Sequence, residues 1–490
     1  LLFVALGAAL LAGCPRVLPP PPPPEHRGAL VRVACPAHLA GLVREQSRAW
    51  QARQQARVET VGANAGADAD LVVFPPDALA ARVARAGPGK LLPLPAALRQ
   101  RGDAFDWSAL LPFYRDQLLL WDRTAYAVPL VGEAPVCLFR ADKFADAGVR
   151  ARFAAWQRKK KRSPVRELRA PLTWDEFARL AEFFQEDPAG GPFSLPPLPA
   201  DGPALDRLFY TVAASYARRA VRQDEPAGPG YRAELFSFHF DEKTGAPRIA
   251  GPGFVAALRV LRRLQACRPA GTHPHREEAF LEGKAVLCVT NAATLSRAQQ
   301  TARLRDKVGV CVVPGSDRYF TPGGVEKEAK AGVNRVPYLG GAGWLAAVAG
   351  GSKNPAAAFD LLADLAGPER SAQIALEPGW GGPTRTEQLS RERWDAFDLD
   401  PARSLALKEA LGRTLQYHGL KNPVLCLRTP DAAARQAVVV AQLRAALLGP
   451  GGDPAKALGE AAARWADMSA RQGEAAHVRE YRLSLGLLGE

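Results

Sequence analysis

The stretch ADLVVFPPDALAARVARAG, Ala69 to Gly87, joins two periodicities. Leu71 to Phe74 are continuously apolar, the pattern of a parallel strand buried on both faces. Pro75 and Pro76 stop the strand, and a helix is expected from Asp77, its N-cap, to Gly87. The same alternation recurs on the N-terminal side. ALVRVACP (29–36) is a short strand, LAGLVREQSRAWQARQQ (39–55) a helix apolar at Leu39, Leu42, Val43 and Trp50, and ARVETV (56–61) a second strand. Strands alternating with helices predict an α/β domain on a parallel sheet.

Further along, RTAYAVPLVGEAPVCLFRADKFADAG (123–148) reads as an extended segment containing Pro129 and Gly132, then an apolar strand and a short helix. PLTWDEFARLAEFFQE (171–186) is an amphipathic helix, with Thr173 as cap and Glu176 completing a capping box. A Pro/Gly-rich loop (188–203) precedes helices at RLFYTVAASYARRA (207–220) and GFVAALRVLRRLQACR (253–268). AFLEGKAVLCVTNAATLSRAQQ (279–300) gives a helix end, a strand and a polar turn at Thr290-Asn291, and VGVCVVPGS (308–316) another strand. VPYLGGAGWLAAVAGGSKNP (336–355) is strand, glycine-rich turn and strand, with a helix starting at Asn354. The last hundred residues are mostly helical, and no internal repeat is evident. A chain of 490 residues exceeds one ordinary core, so two or more domains are expected.

The N-terminus carries an apolar run, Leu1 to Ala12, that ends in LAGC (Leu11–Cys14) and is followed by six prolines, Pro19–Pro24. The run is shorter than the roughly 20 residues a membrane helix needs and has the length of a signal h-region. LAGC resembles a bacterial lipobox, in which the cysteine is acylated, so Cys14 is the expected lipid attachment site. Residues 1–13 are expected to be the remnant of a removed signal peptide, with the sequence beginning inside it, since the only methionine is Met468. Residues 14–27 are then anchor and linker, the prolines forming a polyproline II spacer of about 18 Å.

The net charge of +14 raises nucleic acid as a partner. The arginines are scattered, however, and the one dense run, RKKKR at Arg158–Arg162, reads as a solvated insertion; no nucleic-acid partner is expected. Cys35, Cys137, Cys267, Cys288, Cys311 and Cys426 form no CxxC motif, and four of them sit in apolar runs where cysteine acts as a small hydrophobe. Free thiols are expected, with Cys288–Cys311 the first pair to check for a disulfide. THPHREEAF (272–280) brings His273, His275, Glu277 and Glu278 together, but Pro274 suggests a loop, and acidic residues at a helix N-terminus explain the pattern. No metal and no cofactor are expected. GxSxG, HExxH and P-loop signatures are missing, so the expectation is a binding protein and not an enzyme; a glycoside hydrolase would need two carboxylates flanking a bond.

In this order, the segments resemble the family 1 extracellular solute-binding proteins, the maltose-type periplasmic binding proteins of ABC importers. ADLVVFPPDALAARVARAGPGKLLPLP resembles the family's first strand, helix and leucine-proline stretch, YAVPLVGEAPVCLFRADKF its first crossing between lobes, and PLTWDEFARLAEFF the helix after it. FLEGKAVLCVTN resembles a returning strand, YLGGAGWLAAVAGGSKNPAAAFDLLADL the third crossing, and the C-terminal segments the closing helices. The resemblance implies a two-lobed periplasmic-binding-protein-like α/β fold (type II) with three crossing segments and a ligand cleft between lobes. The expected division is 28–130 plus 289–346 for lobe 1 and 131–288 plus 347–490 for lobe 2. Pro129, Gly132, Gly340, Gly341 and Gly343 would give the crossings the freedom that hinge closure uses. The proline-heavy loop from Asp187 to Pro203, the insertion at Arg158–Arg169 and an aromatic content of 8% depart from the family's pattern.

Residues at crossings and loop ends are the ligand-binding candidates. Glu133 offers a carboxylate to ligand hydroxyls, or is a solvated strand-end residue. Thr290 and Asn291 end a strand, where Asn supplies donor and acceptor or shapes a turn. Trp344 lines the cleft or packs under the glycine turn. Trp380, in PGWGGPTR, lies between glycines that let a ligand approach its ring. Arg385 would pair with an anionic ligand or lie on the surface. Phe74, Pro75 and Asp77 are weaker candidates. The expected function is a lipid-anchored extracytoplasmic protein of the bacterial envelope. It captures a small solute, with carbohydrate as the family's usual class, and delivers it as a monomer to an ABC importer permease. The alternative is an envelope sensor or scaffold with the same fold and no transport role.

Overall fold

The computed structural model describes residues 24–487 apart from 66–67, 85–89, 101–104, 188–192, 331, 378–381, 391–393, 395–396 and 418. Cys14, Trp380 and the expected helix end at Gly87 lie outside the described residues.

The elements that build the site begin with β1 (Leu30–Cys35), α1 (Ala40–Gln54), β2 (Arg57–Gly62), β3 (Leu71–Phe74) and β4 (Val128–Val131). They continue with β5 (Pro135–Arg140), α2 (Trp174–Glu186), α3 (Gly202–Ala217), α4 (Pro252–Gln265), β6 (Leu287–Asn291) and β7 (Val308–Cys311). After these come β8 (Tyr338–Leu339), β9 (Trp344–Val348), α5 (Pro355–Ala366) and α6 (Pro368–Leu376). The chain closes with α7 (Pro401–Leu415), β10 (Val424–Leu425), α8 (Ala432–Leu448) and α9 (Pro454–Gln472).

The first sheet has the order β2-β1-β3-β9-β4. Its first three strands are parallel, as the alternation predicted, while β9 runs antiparallel to both β3 and β4. All four residues of β3 are buried, which its unbroken apolar run required. Helices α1 and α5 meet over the sheet, where the buried Trp50 indole donates to Asp360 Oδ2 at 2.8 Å. Asp70, buried just before β3, ties the return after β9: its Oδ1 accepts from Ser352 Oγ (2.6 Å) and from the Lys353 (3.0 Å) and Asn354 (3.2 Å) N–H groups.

The second sheet, β6-β5-β7, is antiparallel and buried at its centre. Helix α2 starts as expected, Thr173 Oγ1 accepting from the Glu176 N–H at 3.2 Å. The other half of the capping box differs: Glu176 Oε2 accepts from the Leu172 N–H at 2.8 Å and its Oε1 pairs with Arg166. Helices α3, α4, α8 and α9, packed on one another, carry buried apolar faces of the second lobe.

Sheet membership corrects the expected lobe division at two places. Strand β7, expected with lobe 1, pairs with β5 in the second sheet, and Asn291 stays there too. Helices α5 and α6, expected in lobe 2, follow β9 and pack on the first sheet. The chain thus remains in the second lobe from β5 to β8, because β6 and β7 both complete β5's hydrogen bonding. The passage through Gly340–Gly343 is therefore the second crossing, not the third. The third runs between α6 and α7, which packs against β7 and β5.

The same registers settle the cysteines. Cys311 lies opposite Cys137, while Cys288 sits on the far side of β5, opposite Leu138. Cys288 and Cys311 are two strand spacings apart, about 9–10 Å, beyond the roughly 7 Å reach of a disulfide. The six described cysteines are free thiols. Arg158–Lys161 are exposed at the end of the helix Ala147–Lys159, and Lys160 and Arg162 pair with Glu186 and Glu182. Among the described residues no group of three or more His, Cys, Asp and Glu side chains is placed to hold a metal ion. Among them, too, no helix is long and apolar enough to cross a membrane.

Candidate functional site

The three crossings meet backbone to backbone. A Cβ on Gly132 would stand 2.4 Å from the carbonyl oxygens of Gly382 and Pro383, so the first and third crossings touch where only glycine fits. Gly343, at φ +81, brings the second crossing to the Val131 carbonyl, where a Cβ would be 2.6 Å away. Beside this junction opens a cleft of about 380 Å³. The first lobe contributes Asp77 and Trp344, and the second contributes Asp206, Arg207, Asn291 and Gln436.

Trp344 is the first residue of β9 and is half-buried. Its pairing with β4 shifts register between Trp344 and Leu345, an irregularity of the kind that re-aims a side chain at a strand end. Its ring meets His38 edge-on with centroids 5.3 Å apart, leaving it on the cleft wall. Asn291 ends β6 and also lines the cleft, while its Oδ1 accepts from the Ala293 N–H at 3.2 Å. Thr290, one residue earlier, faces the other side of the strand. Its hydroxyl contacts Thr294 Oγ1 at 3.0 Å and Glu277 Oε1 at 3.4 Å, and it is not a lining residue.

Glu133 is not presented to the cleft as expected. It is 2% exposed and accepts a hydrogen bond from the Gly340 N–H, joining the first and second crossings. Burial pushes its carboxyl up to about 7, against the pull of the Gly340 and Ala342 N–H groups and the Arg207 charge. Arg385 is a second correction. It is 0% exposed and its guanidinium donates to the carbonyls of Phe105 (2.6 Å), Ala366 (2.8 Å) and Asp106 (3.0 Å) and to Ser371 Oγ (3.2 Å). With its donors engaged by three carbonyls and the Ser371 hydroxyl, it holds the loop before α7 to α6 and is not among the residues that line the cleft.

Asp77 is also not the cap expected of it. Pro75 takes the N-cap position of a short turn, Pro76–Ala78, and the Asp77 carboxyl lines the cleft. Burial raises it to about 6 against the pull of its own and the Ala78 N–H groups. Across from it stands Asp206 in the first turns of α3, a helix capped by Asp201, whose Oδ1 accepts from the Ala204 N–H at 2.7 Å. Asp206 Oδ2 accepts from Gln436 Nε2 at 3.1 Å. Burial lifts its carboxyl to about 7, the Gln436 bond pulls it back, Asp77 pushes it up again and Arg207 pulls it down. Arg207 Nη1 donates to the Gly341 carbonyl at 2.9 Å, so it braces the second crossing from the second lobe.

Asp206, Arg207 and Gln436 were not singled out from the sequence. The one available signal was the pair Asp206-Arg207, the only charged residues in the helix Gly202–Ala217. A second groove, of about 360 Å³, lies within the second lobe between Phe254 and Phe320. It receives no residue from the first lobe, so lobe closure does not act on it.

The arrangement defines a class: two α/β lobes, three crossings that meet at glycines, and an interlobe cleft with an aromatic wall and carboxylates on both sides. Residues 46–243 match the model of the family described as bacterial extracellular solute-binding protein. Among solved structures, maltose-bound MalE3 of T. maritima is 18% identical with a TM-score of 0.63, covering 90% of this chain and 100% of that one. An ABC transporter solute-binding protein of Agrobacterium radiobacter K84, in complex with ribitol, is 18% identical with a TM-score of 0.65 over 90% and 99%. The substrate-binding protein Lmo0181 of Listeria monocytogenes, in complex with cycloalternan, is 19% identical with a TM-score of 0.59 over 91% and 99%. No curated protein sequence matches the chain. The resemblance to solute-binding proteins that the motifs implied is thus found in the family model, and the two-lobed fold over nine-tenths of the chain.

Proposed function

We propose that this chain is an extracytoplasmic solute-binding protein, anchored by a lipid on Cys14, that captures a carbohydrate or polyol between its lobes and delivers it to an ABC importer. The observation that carries the reading is the cleft at the crossings, where Trp344 offers a ring face and Asp77, Asp206, Asn291 and Gln436 converge as hydrogen-bonding groups. Such a pocket, an aromatic platform with a few polar groups, suits the alternating faces and hydroxyls of a sugar. The fold relatives bound to maltose, ribitol and cycloalternan support this ligand class. Delivery requires only that the ligand favour the closed arrangement, so no catalytic step is assigned. The proline spacer would hold the lobes off the membrane.

A thermal-shift panel of the full chain tests the ligand class. Mono- and oligosaccharides and polyols are compared with uronic acids, amino acids and phosphate esters. A ligand of the native state raises the melting temperature with concentration. A saturable rise confined to saccharides or polyols, reduced in Trp344→Ala, is expected. A rise from another class alone would overturn the reading, and flat curves throughout would favour a sensor or scaffold.

A further inference from the structure

Under the cleft lies a chamber of about 20 Å³ that shares Asp77, Asp206, Cys426 and Gln436 with it and is closed by Tyr210 and Trp465. It has room for one water-sized group and none for a ring. Each lobe supplies one carboxylate to it. Asp206 is 4% exposed; Oδ2 is bonded to Gln436, while Oδ1 is buried with no hydrogen-bond partner. A buried carboxylate oxygen left in that condition favours a donor that also carries positive charge.

The surrounding charges point the same way. Among the described residues lining the cleft, Asp77, Asp201 and Asp206 are carboxylates and Arg207 is the one guanidinium, with Nη1 already bonded to Gly341. The remaining titratable groups facing the pair are Tyr210, Tyr338 and Cys426, and Cys426 in turn lies within reach of the Arg428 and Glu133 charges. Burial holds both phenols and the thiol protonated. Tyr210 and Trp465 line the chamber, and the guanidinium nearest to the Trp465 ring, that of Arg435 at 5.9 Å from the centroid, is already paired with Asp431.

We propose that the cleft selects a saccharide or polyol bearing a primary amine, its ammonium entering the chamber between Asp77 and Asp206 while the ring stays beside Trp344. This rests on the carbohydrate reading and narrows it. Seating the ammonium ionises the carboxylate pair, so binding releases a proton to solvent, and affinity for the amine rises with pH from 5 to 7.

Titration calorimetry of the full chain tests it, with glucosamine and its β-1,4-linked dimer against glucose, N-acetylglucosamine and cellobiose, and D-glucamine against sorbitol. At pH 7 the aminated member of a set is expected to bind at least tenfold tighter than its neutral counterparts. That ratio should shrink at pH 5 and fall toward one in both Asp206→Asn and Asp77→Asn, whatever their absolute affinities. Neutral sugars that bind as tightly as the amines, or a ratio unchanged in both variants, would overturn this inference and leave the carbohydrate reading standing. Failure of every saccharide and polyol to bind would overturn both.

Discussion

The carboxylate of Glu133, on the first crossing, accepts a hydrogen bond from the Gly340 N–H on the second. A buried acid thereby links two of the three strands of chain on which the lobes turn. Its folded pKa of about 7 lies above the ordinary 4.5, so the folded chain keeps a proton that the unfolded chain has lost between these values. The stability Glu133 contributes is therefore present below pH 4.5 and is lost as pH rises through about 7. Glu133→Gln keeps an acceptor and removes the titration. The difference in melting temperature between pH 5 and pH 7.5 should narrow in this variant; an unchanged difference would place the sensitivity elsewhere.

Gly132 and Gly382 meet so closely that neither tolerates a side chain. Gly132→Ala is predicted to cost about 1–3 kcal/mol in urea unfolding, the usual range for overpacking. Because the clash falls between crossings, the variant should also scatter X-rays as a more open particle. A stable variant with the wild-type radius of gyration would mean the crossings yield more easily than the contact suggests.

Arg385 sits wholly inside, its guanidinium bonded to three carbonyls. Arg385→Ala leaves those carbonyls unpaired beside a cavity and should lower stability by about 3 kcal/mol or more. A loss of ligand affinity with unchanged stability would return Arg385 to the cleft, against its position.

Trp344 is half-buried and faces the cleft from the start of β9. Trp344→Ala should weaken saccharide binding at least tenfold, an effect typical of a contact aromatic, while shifting the unliganded melting temperature by only a few degrees. Unfolding without ligand would instead make this ring part of the core.

Much of the architecture was legible from local pattern. The apolar run of β3, the proline stop after it and the amphipathic face of α2 state their environment directly, because burial on both faces or on one stripe leaves a periodic trace. The crossings were legible as positions, though not in their packing: Gly132 and Gly340 suggested freedom, whereas Gly132 is needed for close approach to Gly382. Lobe membership failed at β7 and α5, since a strand's sequence does not say which sheet it joins. The site was read least well. Glu133 and Arg385 carry charge, and charge in a loop looks exposed until the partners that bury it are known. Asp77 has the pattern of a helix cap, yet Pro75 takes that position and frees its carboxyl for the cleft. Asp206 acquires its meaning from Gln436, 230 residues away, and from Asp77 on the other lobe, pairings no local window contains.

Small-angle X-ray scattering of the full chain, titrated with the saccharide or polyol that most raises its melting temperature, tests the central claim most directly. Capture by the lobes predicts a radius of gyration that falls saturably, with the same midpoint as binding, and that no longer falls in Trp344→Ala. Saturable binding at a constant radius would contradict it, placing the ligand on one lobe alone, as in the groove between Phe254 and Phe320.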